Sequence, residues 1–134
     1  MAATLKTLTA VAVDRFEEAS LALSGSTETD ILIVQPDGQK ELAVTVENDA
    51  GSANAVETVK LYVKDHANAD WILATERTNQ VDQQKVGLSV LGNLDVLLPG
   101  DSARVHYYPG GVYQFKLTAK SVDATVHSRG WAGV

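Results

Sequence analysis

The strongest constraint on this chain is an apolar repeat of two residues, cut into short runs by proline–glycine corners. Leu42, Val44 and Val46 share one face of a run. Val59, Leu61 and Val63 do so in a second, with Thr58, Lys60, Tyr62 and Lys64 on the opposite face. Tyr113, Phe115, Leu117 and Ala119 form a third inward set, and Ala103, Val105 and Tyr107 a fourth. Successive side chains of a strand point to opposite faces, so this period predicts half-buried strands with one wet side. Pro36-Asp37-Gly38, Pro99-Gly100-Asp101 and Pro109-Gly110-Gly111 hold all three prolines. Each joins a residue of fixed φ to a glycine that accepts positive φ, which is turn chemistry.

The remaining runs fit the same scheme. Asp30 to Gln35 is more continuously apolar (Ile31-Leu32-Ile33-Val34) and reads as a central strand. Trp71 to Ala74 and Asp123 to Ser128 read as shorter strands, with Trp71 in the core. Val86 to Leu98, broken at Gly92-Asn93, reads as up to two strands. Loops are expected at Asn48 to Ala55, Asp65 to Asp70 and Glu76 to Lys85. Near the start, Asp14-Arg15-Phe16-Glu17 has the spacing of a helix capping box, whereas Ala19, Leu21 and Leu23 alternate as in a strand. The second pattern is favoured, as a strand from Glu18 to Ser24. Residues 1–13 alternate loosely and fit either an edge strand or an extended arm. No strand is followed by a long amphipathic helix, which argues against an α/β fold. The expected fold is all-β: a single domain over 1–134, an immunoglobulin-like or jelly-roll-type antiparallel β-sandwich of about eight to ten short strands.

Charge and composition exclude several partners. The net charge is -6, with five Lys/Arg against eleven Asp/Glu in residues 1–67 and six of each in the rest. No basic run offsets this acidity, so nucleic acid is not an expected partner. No stretch approaches membrane-spanning length, and no long apolar segment follows Lys6, so neither a membrane nor a signal peptide is expected. With no cysteine there is no disulfide, no thiol nucleophile and no Cys-based zinc site. Aromatics make up only 6%, so the core must be mainly aliphatic.

The residues that carry chemistry elsewhere are scattered. His66, His106 and His127 lie on separate segments without metal-ligand spacing and read as surface histidines. Gly87-Leu88-Ser89-Val90-Leu91 begins like a nucleophile elbow but closes on leucine and lacks a following helix. Asn48-Asp49 with Gly51 and Asn54 departs from the calcium-loop spacing, and Pro109-Gly110-Gly111 is followed by no Gly-Lys-Ser/Thr. Glu17-Glu18 reads as a solvated acidic pair. No catalytic, cofactor-binding or metal-binding residue is therefore assigned. Trp131, between glycines near the end of the chain, is either a folded-back plug or a docking side chain.

The stretch from Glu41 to Lys64 resembles immunoglobulin-like modules: one strand ends at Asn48, a small-residue loop turns the chain, and a second strand returns. Leu98-Pro99-Gly100-Asp101-Ser102-Ala103-Arg104-Val105, followed by Pro109-Gly110-Gly111-Val112-Tyr113, resembles the last hairpin of such modules. Read as a separate polypeptide beginning at Met1, and rich in Ala, Val and Thr, the chain resembles head-decoration (capsid cement) and other accessory virion proteins of tailed bacteriophages. That resemblance implies a non-enzymatic structural protein, made in the host cytoplasm and resident in the virion. It would bind the major capsid protein or another virion protein and stabilise the shell, with homo-oligomerisation open. The implied terminal arm falls on residues 1–13. Leu5, Leu8, Val11 and Val13, together with Trp131, are the candidate partner contacts. A phage tail component and a carbohydrate-binding β-sandwich module are the alternatives; the latter draws on Tyr62, Tyr107, Tyr108 and Trp131.

Overall fold

The structure, a computed structural model, describes residues 3–74, 88–108 and 111–133. Its strands are β1 (Leu5–Thr7), β2 (Val13–Leu23), β3 (Thr29–Gln35), β4 (Glu41–Asn48), β5 (Val56–Lys64), β6 (Ile72–Leu73), β7 (Leu88–Leu91), β8 (Val96–Leu97), β9 (Ser102–Tyr107), β10 (Gln114–Lys120) and β11 (Ala124–Gly133). They form two packed sheets. The six-stranded sheet runs β1-β3-β10-β5-β6, with β8 also on β5; the five-stranded sheet runs β2-β11-β4-β9-β7. From β2 to β5, and again from β7 to β11, consecutive strands lie in opposite sheets. The expected loop at Glu76 to Lys85 and the corner at Pro109-Gly110 lie outside the described residues.

The core sits where the inward sets meet. Leu42, Val44, Val46, Val105, Phe16, Leu21 and Leu23 come from one sheet, and Leu32, Val34, Leu61, Val63, Phe115 and Leu117 from the other. Phe16 and Phe115 bridge the layers edge to face, with ring centroids 5.7 Å apart. That geometry suits the ring quadrupoles and adds about 1 kcal/mol to the burial itself. β3 is an interior strand, between β1 and β10, and its pairing with β10 shifts at Ile31, so that Ile31, Leu32 and Val34 all join the core while Ile33 stays half-buried.

Four expectations need correction. The sandwich is not wholly antiparallel, because β1 pairs β3 in parallel, Leu5 opposite Ile33. The reason is topological: the chain passes from β1 through the other sheet as β2 before returning as β3, so both strands run the same way. The capping box forms no helix. Asp14 to Glu17 belongs to β2, which starts five residues earlier than the strand expected at Glu18. Trp71 is not in the core; it lies against the outer surface of the six-stranded sheet, under two lysines. Tyr113 is only half-buried, in the bend before β10.

One end of the sandwich is tied by a buried amide. Asn48 is fully buried at the end of β4, and its Nδ2 donates to the carbonyls of Asn54 and Leu97, at 3.0 and 2.9 Å. Ser121 Oγ donates to Ala55 O, and Thr125 N donates to Ser52 Oγ. Asp49 Oδ2 accepts from Gly51 N, so the small-residue loop closes as an Asx turn. The four residues once compared with a calcium loop are thus engaged in holding the chain.

Candidate functional site

The outer surface of the five-stranded sheet gathers the most chemically varied side chains. The register sets them in rows across the strands. One row reads Arg15, Trp131, Ala43, His106 and Ser89, and the next Glu17, Arg129, Thr45, Arg104 and Leu91. Trp131 is half-buried, with its indole close against the backbone of its own strand. A Cβ added to Gly133, two residues along the same face, would meet Cζ3 at 3.3 Å and Cε3 at 3.6 Å. Ala43, beside it on β4, is only 2% exposed although its side chain points outward. Beyond Ala43, His106 Nε2 lies 2.7 Å from Glu41 Oε1, and its ring centroid is 6.3 Å from that of Trp131. Arg129 approaches Glu47 at 3.7 Å.

A second cluster lies on the outer surface of the six-stranded sheet. Lys116 Nζ sits 4.6 Å from the Trp71 ring centroid, 5.6 Å from that of Tyr62 and 3.3 Å from Asp30 Oδ1. Lys64 covers Trp71 as well, at 4.8 Å. Tyr62 and Thr118 donate to Glu28, and Lys60 stands 3.7 Å from it. Burial pushes the Glu28 carboxyl up, but the hydrogen bonds from Thr118 and Tyr62, with the charges of Lys60 and Lys116, outweigh it and hold the group below its ordinary range. These side chains satisfy one another, with the lysine acting as the nail that holds Trp71 to the sheet.

At the lower end of β11, His127 stitches a bulge. Ala19 and Ser20 of β2 together oppose His127, because the pairing steps from Ser128↔Glu18 to Val126↔Leu21. His127 Nδ1 contacts the Ala19 carbonyl and Nε2 lies 3.1 Å from Asp49 Oδ1. These two acceptors hold the imidazole above its ordinary pKa. In turn, His127 and the Gly51 amide hold the Asp49 carboxyl low.

None of this composes a reaction centre. Ser89 stands opposite His106 in register, and His106 contacts Glu41, but no hydrogen bond joins Ser89 to His106. The three lie on an open strand face without the strained strand-to-helix turn that presents a nucleophile beside oxyanion donors. Gly87, which opens that motif, lies outside the described residues. Among the described residues no group of three or more His, Asp or Glu is placed to hold a metal. Glu17 and Glu18 point to opposite sides of β2, and Glu18 pairs with Lys6 at 3.0 Å.

The candidate contacts separate. Leu8 is buried in the core, tied by its amide to Gln35 O, and is not available to a partner. Leu5, Val11 and Val13 are each nearly half exposed. Leu5 lies on β1, at the edge of the six-stranded sheet, and Val11 lies in the following loop. Val13 opens β2 opposite Gly133, and so joins the Trp131 face. Trp131 belongs to a ten-residue strand in the interior of its sheet, half-buried on the outer surface. Arg15, Ala43, His106 and Glu41 were not foreseen around it. Their only signal was outward phase, which identifies a wet face and not what it gathers.

A chain of two packed sheets, mixed in strand order and without a reaction centre among its described residues, belongs to the broad class of all-β sandwich-like proteins. Within that class it is similar to the SPBc2 prophage-derived protein YomS, whose crystal structure superposes with a TM-score of 0.51 over 95% of this chain and 99% of that one, at 13% identity. The likeness is one of fold. No protein family and no curated protein sequence matches the chain.

Proposed function

We propose that the chain is a non-enzymatic accessory structural protein of a phage virion, and that it acts as one body over 1–134 to bind the major capsid protein and reinforce the shell. The observation that carries this reading is the end-to-end fold likeness to a prophage-encoded protein of nearly the same extent. Strand order adds to it: β2-β11-β4-β9 facing β3-β10-β5 is the order expected of a jelly roll, an architecture frequent in capsid domains. The exposed Leu5 and Val11 supply apolar contact near β1.

The sheet edges favour decoration over a tail tube. A tube ring needs long strands paired between subunits. Here the long edge strand, β2, carries a bulge and turns the charged Asp14 and Glu18 toward the core side, two devices that discourage edge pairing. The other edges, β1, β6 and β7, are short.

The test is to mix the purified protein with undecorated capsid shells and sediment them. Co-sedimentation in saturable, stoichiometric amount, with a rise in the temperature at which the shells break, is the expected result. A protein that stays in the supernatant overturns the capsid assignment, and ring formation in solution would move it to the tail.

A further inference from the structure

The Trp131 face has the make-up of a sugar-stacking site. The indole packs against Gly133 of its own strand and beside Ala43, which is only 2% exposed, and is itself half-buried, so it is braced by the sheet and still open to solvent. An indole braced in this way offers a fixed apolar surface, unlike an aromatic that stands free to fill a partner's pocket. Planar hydrogen-bonding groups flank the indole in the same row or beside it: the Arg15 guanidinium on one side and the His106–Glu41 pair on the other. Adjacent strands lie about 4.8 Å apart, so the row offers about 14 Å from Arg15 to His106.

Charge narrows the ligand. Three of the four arginines of the chain (Arg15, Arg104 and Arg129) are on this surface, matched by three carboxylates (Glu17, Glu41 and Glu47). The part of the face around Trp131 is therefore balanced in charge, with Asp49 set apart against His127, whereas the whole chain carries -6. A neutral, hydroxyl-rich chain complements such a surface: its hydroxyls both donate and accept, as a mixed set of carboxylate and guanidinium groups requires. A polyanion would meet the carboxylates. Pyranoses with all ring substituents equatorial expose a patch of axial C–H bonds that fits a flat indole. We propose that the outer surface of the five-stranded sheet, centred on Trp131, binds neutral β-linked glucose or N-acetylglucosamine chains, with Trp131 as the stacking floor and Arg15, Glu41 and His106 as hydrogen-bonding walls. This goes beyond the structural role and does not depend on it.

The chain has two tryptophans, so Trp71→Phe leaves Trp131 as the sole indole reporter. That variant is titrated with cellotetraose and with chitotetraose, and with heparin as an anionic control. The expected result is a saturable emission shift with at least one neutral oligosaccharide, half-complete on the order of 1 mM or below. Binding is then followed by backbone amide shifts in Trp131→Ala and in Arg15→Ala, the second an exposed residue whose loss leaves the core intact. Each should weaken affinity about tenfold, the worth of one good contact. No saturable shift with either oligosaccharide, affinity unchanged in both variants, or binding of heparin alone overturns the proposal.

Discussion

His127 Nε2 lies 3.1 Å from Asp49 Oδ1 while Nδ1 of the same ring meets the carbonyl of Ala19, so one imidazole ties the bulge of β2 to the loop after β4. Both partners only accept. A neutral imidazole has one N–H and can serve one of them; the protonated ring serves both.

A stability window in pH follows. The His127 pKa is raised above 6.5, first by the Ala19 carbonyl and then by Asp49, so its contribution is complete below 6.5 and is lost as pH rises through the folded value. The Asp49 pKa is lowered below 3.8, first by His127 and then by the Gly51 amide, so its contribution is present above 3.8 and is lost as pH falls through the folded value. Glu47, on the adjacent strand, also favours the charged ring. The latch is therefore strongest between about pH 4 and 6.5. Thermal melts from pH 5 to 8 should fall in midpoint as His127 deprotonates, and His127→Gln should flatten that slope. An unchanged slope in the variant would remove the latch.

Asn48 should be among the least replaceable polar residues. Its Nδ2 serves two carbonyls in a fully buried setting. Asn48→Ala strands both acceptors and should cost about 3 kcal/mol. Asn48→Asp should cost more at neutral pH, since it sets a buried carboxylate against the same two oxygens. Urea unfolding of the two variants checks the order.

Gly130 is a packing requirement. A Cβ there would collide with the Ala43 carbonyl oxygen, with Ala43 C and Val44 Cα at 3.0 Å. These are backbone atoms of the adjoining strand and cannot swing aside. Gly130→Ala should therefore destabilise by about 2 kcal/mol or more, whereas Gly38→Ala meets open space and carries only the strain of its φ of 88°. Chemical denaturation of the pair distinguishes crowding from turn strain.

Lys116→Ala should loosen Trp71, leaving Lys64 alone over the ring. The Lys116 ammonium group is one of two that hold that ring to the sheet, and removing it should cost about 1 kcal/mol. In a Trp131→Phe background, the emission of Trp71 should move to longer wavelength as its ring becomes wetter.

Much of the fold was legible because the central strands obey one simple rule. The β4, β9 and β10 runs keep an unbroken two-residue phase over the core, β5 does so only from Val59 onward because an irregularity at Thr58 (φ 49°) also turns Val56 inward, and Gly92-Asn93 does divide two strands, which fall in opposite sheets. The rule failed at β2 for a specific reason. Phe16 is inward at an even position, Leu21 and Leu23 at odd ones, and the bulge at Ala19-Ser20 changes the phase between them. The inward Asp14 and Glu18 further hid the strand, since local charge gives no hint that Lys6 and Thr9 wait to receive them. β11 read as ending at Ser128 because Gly130 and Gly133 look like breakers. Their lack of a side chain is what lets the neighbouring backbone and the indole approach. The parallel pairing of β1, the placing of Trp71 under two lysines, and the neighbours of Trp131 all depend on contacts between distant segments, which no local pattern encodes.

Peptide-level mass spectrometry of gradient-purified particles from the organism that encodes this chain tests its proposed place most directly. The account predicts that the chain co-purifies with intact particles in a fixed, high ratio to the major capsid protein. Particles that are complete, infectious and devoid of it, with the protein left in the soluble lysate, would contradict it.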